Sequence, residues 1–253
     1  MEYESRPILF AADMVQALLS GKKTVTRRPL IIPPGWELKD HKLRKIDSPH
    51  PKKGKWGALI CEPSINGEDF HDLITAPASP GDFLWVRETW GVVSHDYDEN
   101  DNIIDWKPNR DALPIKDMMF GLGYYSGHVI YRADGNFTWS DDHGNEKTCW
   151  RPSIHMPRKA SRITLKVTDV RIETMNDLRR NQEQIAKEGF DFYPRFKHAW
   201  SSFYGDCKPN DYVWVIEFEV IKQHIDTYLS SLTTNNRNKD GSCAGPAIDD
   251  NND

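Results

Sequence analysis

The segment Asp211–Ile221, DYVWVIEFEVI, constrains the fold most. It is dense in β-branched and aromatic side chains, which suit a pleated strand and crowd a helix. Shorter runs of the same kind recur. FLWVRETW follows the turn Pro80-Gly81-Asp82, GHVIYRAD leads to a turn at Asp134-Gly135, and Ile163–Glu173 alternates as a strand does. Pro7–Phe10 and Thr24–Arg28 read as two more. Helices are few and short: Asp13–Ser20, with Met14, Ala17 and Leu18 on one face and Gly21 just past its end, then Asn176–Glu188 ending at Gly189, and the aromatic-rich Phe192–Tyr204. Strands outnumber helices and do not alternate with long amphipathic ones. The pattern predicts a mixed α+β, mainly β protein, a small β-barrel with flanking short helices, and fits a doubly wound α/β sheet poorly.

Between these runs the chain is irregular. Residues 29–80 hold Pro33-Pro34-Gly35, Pro51, Gly54, Pro63 and Gly67 with little periodicity, and read as an insertion. Residues 91–127 are polar and Asp-rich, and read as a long surface loop or lid. From about 224 onward apolar residues are too sparse to pack, which predicts a disordered tail over 224–253. The expectation is one domain over 1–223 with insertions at about 29–80 and 91–127, and no internal repeat.

No apolar stretch approaches the roughly 18 residues of a membrane helix, and MEYESRPILFAADM lacks a signal core. These features predict a cytoplasmic protein without membrane contact. Cys61, Cys149, Cys207 and Cys243 lie far apart, without a C-x-x-C pair, which argues against a zinc knuckle or a disulfide framework. The net charge is −5, yet the bases segregate. Eleven lie between Lys22 and Lys55, and Arg151, Arg158, Lys159 and Arg162 form a second cluster. The acids gather at Asp96–Asp105, Asp141–Asp142 and the C-terminus. Such a distribution permits a positive face on an acidic molecule, and equally a solvated basic loop.

Four places carry chemistry-bearing side chains. In Gly21–Arg28, GKKTVTRR, a helix end followed by a strand brings Lys23, Thr26 and Arg27 to one rim, and a solvated basic turn fits the same spacing. In RETW, alternation sets Arg87 and Thr89 opposite Val86, Glu88 and Trp90, with an ion pair as the plain account of Glu88 or Arg87. In WRPSIHMPR two prolines stiffen a loop bearing Arg151, Ser153, His155 and Arg158. His155 is a possible general base, although a lone histidine is more often structural, and no metal-ligand spacing joins it to His128 or His143. Glu188 ends a helix; one carboxylate there means little by itself.

Taken in order, GKKTVTRRP, PGDFLWVRETW, YRAD, WRPSIHMPRKASRITL and VWVIEF resemble the ASCH family, a branch of the PUA-like β-barrels, above all its longer members from phages and prophages. The resemblance covers the framework and not the insertions or tail. It implies an ASCH-type PUA-like barrel with a cleft for RNA or a modified nucleobase, and no metal or other cofactor. Some members are amidohydrolases that deacylate acetylated cytidine with a lysine, a threonine and a glutamate. Those roles fall here on Lys23 as base, with its pKa lowered by cations such as Arg27, on Thr26, and on Glu188. Arg87 or Arg158 would steady the oxyanion, and Arg27, Arg87, Glu88, Trp90, Arg151, Ser153, His155 and Arg158 would contact the ligand. Other members are ribonucleases or RNA-binding domains, so fold kinship leaves the activity open. A phage protein that binds a host factor is a third class.

Overall fold

In the computed structural model, which describes residues 5–64, 67–100, 102–140, 145–206 and 208–240, two long antiparallel strands form the axis of the molecule. These are β15 (Thr164–Thr174) and β16 (Tyr212–Ile221), numbered along the chain. Both bury β-branched residues, to which β16 adds Trp214 and Phe218, and a bulge between Val167 and Asp169 shifts their register. β16 pairs with β2 (Val25–Pro29), and β15 with β7 (Phe83–Arg87), which pairs in parallel with β1 (Ser5–Leu9). The order is β1-β7-β15-β16-β2. The molecule is thus mainly β with short helices. Among the described residues this sheet does not close on itself, since β1 and β2 are its two ends.

The region 29–80 is not a structureless insertion. β3 (Glu37–Leu38), β4 (Arg44–Lys45), β5 (Trp56–Glu62) and β6 (Phe70–Thr75) make an antiparallel sheet around β5. Its Ala58, with Leu30, Ala76 and Ala78, joins the main core of Ile8, Val86, Leu165 and Trp214. The region 91–127 is likewise not a loop. β8 (Trp90–Val93), β11 (Leu113–Phe120) and β12 (Gly123–Tyr131) form a three-stranded sheet, and β9 (His95–Tyr97) pairs with β10 (Ile103–Asp105). Val92, Leu113, Ile115 and Phe120 pack around Trp90, Met118 and Val129, so widely spaced apolar residues suffice once a partner strand gathers them. The short hairpin β13 (Thr138–Ser140) and β14 (Glu146–Thr148) completes the strands.

α1 (Ala12–Leu19) buries Val15 and Leu18, and Gly21 at φ 74° turns the chain toward β2. The helix expected over 176–188 is two helices, α2 (Met175–Arg179) and α3 (Gln182–Lys187). Asn181 divides them, because its side chain accepts from Gln184 N at 3.1 Å and caps a fresh start. α4 (Tyr193–Tyr204) packs Phe196 and Trp200 against Met175, Leu178 and Val213.

The tail expected to be disordered from 224 corrects to a helix, α5 (Ile225–Asp240). Ile225 is fully buried against Phe83 and Trp85, with Tyr228, Leu229 and Leu232 beside it. Those few apolar residues recur at helical spacing, which is enough to cover the outer side of β7. Residues 241–253 of that expectation lie outside the described residues. None of the described helices is long and apolar enough to cross a membrane.

Candidate functional site

Lys23 sits where three elements meet. Its backbone N–H donates to Ala17 O of α1 at 3.0 Å, and the next N–H, of Thr24, donates to Lys187 O of α3 at 2.9 Å. The ammonium therefore points at the end of α3, where Nζ donates to Glu188 Oε2 at 2.6 Å and to Glu188 O at 2.9 Å. Gly189 makes this approach possible. It lies at φ 90°, and a Cβ there would stand 3.0 Å from Ala17 Cβ and 3.6 Å from Lys23 Cβ.

Glu188 is shared. Its Oε1 accepts from Arg27 Nη1 at 3.1 Å, while Arg27 Nη2 donates to Glu173 Oε2 at 2.6 Å and to Gln184 Oε1 at 3.3 Å. Lys23, Thr26, Arg27 and Glu188 are each only 2% exposed. Two cations and two carboxylates offset one another in this network, the form in which buried charge is tolerated. Arg27 Nε remains buried without a hydrogen-bond partner. Burial is the largest influence on Lys23 and holds its ammonium below the ordinary lysine value. Glu188 opposes that shift, and Arg28 and Arg27 reinforce it. Desolvation therefore leads, ahead of the neighbouring cations named from the sequence.

Lys23, Thr26, Arg27 and Glu188 line one small pocket of about 50 Å³. A single water needs roughly 10–15 Å³ on such a measure, so the pocket takes a few waters or a short acyl group. It adjoins a groove of about 790 Å³, because Phe10, Met14, Arg28, Phe203 and Tyr204 line both. Arg28 is fixed at the junction: Nη1 donates to Tyr204 Oη at 2.9 Å, Nη2 to Leu9 O at 2.9 Å, and the guanidinium stands 5.3 Å from the centroid of Phe10. Phe203 and Tyr204, exposed at 61% and 41%, line the groove.

The other sequence candidates fall elsewhere. Ser153 lines the groove and His155 is exposed on the same loop. Trp90 is fully buried and offers no face to a ligand. Glu88 is 1% exposed and held by Arg162, with Oε1 and Oε2 each accepting at 3.0 Å, while the same guanidinium pairs with Asp134 at 2.7 Å. Burial raises the Glu88 carboxyl above its usual range, and Arg162 works against that shift. Glu88 is thus the ion pair of the plain account.

Arg87 lies over Trp85 at 4.7 Å and donates to Ile154 O. Arg158 grips Asp226 of α5 at 2.6 Å. Neither lines the Lys23 pocket, so Arg27 and Arg28 stand where the sequence reading set Arg87 or Arg158. Arg151 stacks between Phe120 and Tyr125, at 4.9 and 5.0 Å.

Reading the sequence missed Arg28, Phe10, Phe203 and Tyr204, although the aromatic run Phe192–Tyr204 was a signal for the last two. No group of three or more His, Cys, Asp or Glu among the described residues is arranged to hold a metal. Compared with known protein families, curated proteins and solved structures, the chain matches none.

Proposed function

We propose that the chain is an ASCH-type, PUA-like protein that binds a modified nucleobase, free or in RNA, in the groove beside Lys23 and hydrolyses its exocyclic amide. Acetylated cytidine is the model substrate. One observation carries this reading: Lys23, Thr26 and Glu188, up to 165 residues apart in sequence, line a single buried pocket with Lys23 and Glu188 in hydrogen-bond contact. The exposed rings of Phe203 and Tyr204 suit a stacked base, and Arg28 between groove and pocket suits a carbonyl oxygen.

The chemistry balances with water as the only co-reactant. Water, oriented by Thr26, forms a bond to the amide carbonyl carbon while neutral Lys23 takes its proton. The oxyanion faces Arg28. The C–N bond then breaks, the Lys23 proton passes to the departing amine through Glu188, and acetate and the free base leave. Burial lowers the pKa of Lys23, the direction that this step requires.

Incubation with acetylated cytidine, followed by chromatography of cytidine and acetate, tests the reading. Lys23→Ala and Thr26→Ala are expected to lose at least about 100-fold in turnover, the scale of a general base. Full turnover in either variant removes the mechanism. A second reading, binding without turnover, is favoured by the closed Lys23–Glu188 pair, since a paired ammonium is a donor and not a base. Undiminished binding of the nucleoside with no product would decide for it.

A further inference from the structure

Helix α4 carries no carboxylate; its charged side chains are Arg195, Lys197 and His198. In a chain of net charge −5 this is a local excess of positive potential. Arg195 pairs with Asp191 at 3.1 Å. The side chains of Lys197, His198 and Arg179 of α2 make no hydrogen bond or ion pair with the described residues.

These three border a depression of about 690 Å³ between α2, the outward side of α4 and Pro209, within the size range of ligand sites. Tyr193 forms an aromatic wall, Asn176 and Ser201 add neutral polar groups, and no lining residue is acidic. Of the carboxylates nearest in sequence, Asp191 is held by Arg195, and Asp177 and Asp211 by backbone N–H groups. Asp177 accepts from Thr174 N at 2.8 Å, and Asp211 from Lys208 N at 2.9 Å.

The depression and the groove flank the same helix. At 3.6 residues per turn, Lys197, His198 and Ser201 share one side of α4, while Ala199 and Phe203 lie toward the Lys23 pocket. A helix with its side chains is about 10–12 Å across, a width that a few nucleotides of single strand bridge. Cations beside an aromatic wall suit a phosphodiester and its base without selecting sequence.

We propose that Arg179, Lys197 and His198 bind a backbone phosphate of a single-stranded nucleic acid that crosses α4 and delivers a neighbouring base to the groove. The groove then binds a base within a strand more tightly than the same base in a free nucleoside. This rests on the groove being a nucleobase site, as proposed above.

Fluorescence anisotropy of a labelled oligocytidylate of about 12 nucleotides, within the usual single-strand site sizes, tests it on the full chain at several salt concentrations. The double variant Arg179→Gln/Lys197→Gln is expected to flatten the slope of log affinity against log salt by about 0.7, the value for one lost phosphate contact on a single strand. Lys45→Gln, which removes an exposed charge outside both cavities, is expected to leave the slope as it is. Cytidine 5′-monophosphate should displace the strand only at far higher concentration. An unchanged slope in the double variant, an equal change in Lys45→Gln, no binding at low salt, or equal affinity for the mononucleotide overturns the proposal. Turnover of acetylated cytidine by the wild type reads the groove separately. Turnover with an unchanged slope removes the phosphate site and leaves the groove, whereas a flattened slope without turnover leaves the phosphate site and removes the hydrolysis.

Discussion

Glu188 holds two buried cations at once, Lys23 through Oε2 and Arg27 through Oε1. Truncation to alanine would strand Lys23 with only a backbone carbonyl and leave Arg27 leaning on Glu173 alone among carboxylates. Breaking a buried pair from one side costs about 3–5 kcal/mol. Urea unfolding of Glu188→Ala should therefore show a midpoint far below that of the wild type, and a loss under about 1 kcal/mol, the surface-pair range, would contradict the geometry.

Glu88 makes a different prediction. Burial raises its folded pKa above the 4.5 of the free side chain, so the folded state keeps a proton that the unfolded state releases. The associated stability is present in full below pH 4.5 and is lost as pH rises through the folded value. Unfolding midpoints measured from pH 4.5 upward should fall more, or rise less, with pH in the wild type than in Glu88→Gln.

At the level of elements, the site depends on how α3 ends. Gly189 lets the chain turn with positive φ and lets Lys23 and Ala17 pass close by. Alanine there meets both a strained backbone and a neighbour at 3.0 Å, a cost above about 1 kcal/mol. Gly189→Ala should lower Tm by several degrees and reduce acetylated-cytidine turnover more than a remote variant of equal Tm, because Glu188 must shift with the turn. Equal turnover at equal Tm would show that the helix end does not position Glu188. The break between α2 and α3 has a similarly local cause. Asn181 reads as an ordinary residue of a longer periodic stretch, and only its side-chain bond to Gln184 N marks a new cap.

Across the whole molecule, stability is distributed unevenly. β15 and β16 carry the main core, whereas β9, β10 and β14 expose every residue. Amide hydrogen exchange should be slowest along β15–β16 and fastest in the β9–β10 hairpin. Comparable protection in the two would mean that the hairpin is buried by something besides this chain.

The sequence by itself determined the central strands, α1, α4 and the turn glycines, because each depends on residues within a turn or a strand length of one another. It also marked Lys23, Thr26 and Glu188 as chemistry-bearing, the last with little to distinguish it from any helix-end glutamate. Tertiary structure decided the rest. It gathered the sparse apolar residues of 29–80, 91–127 and 225–240 into sheets and a helix, since isolated hydrophobes acquire a pattern only against a partner surface. It buried Glu88 on Arg162 and Trp90 in the core, removing both from the candidates. And it set Glu188 against Lys23 across 165 residues of chain. No local periodicity encodes such a contact, because a buried cation selects its carboxylate by position in space and not by distance in sequence.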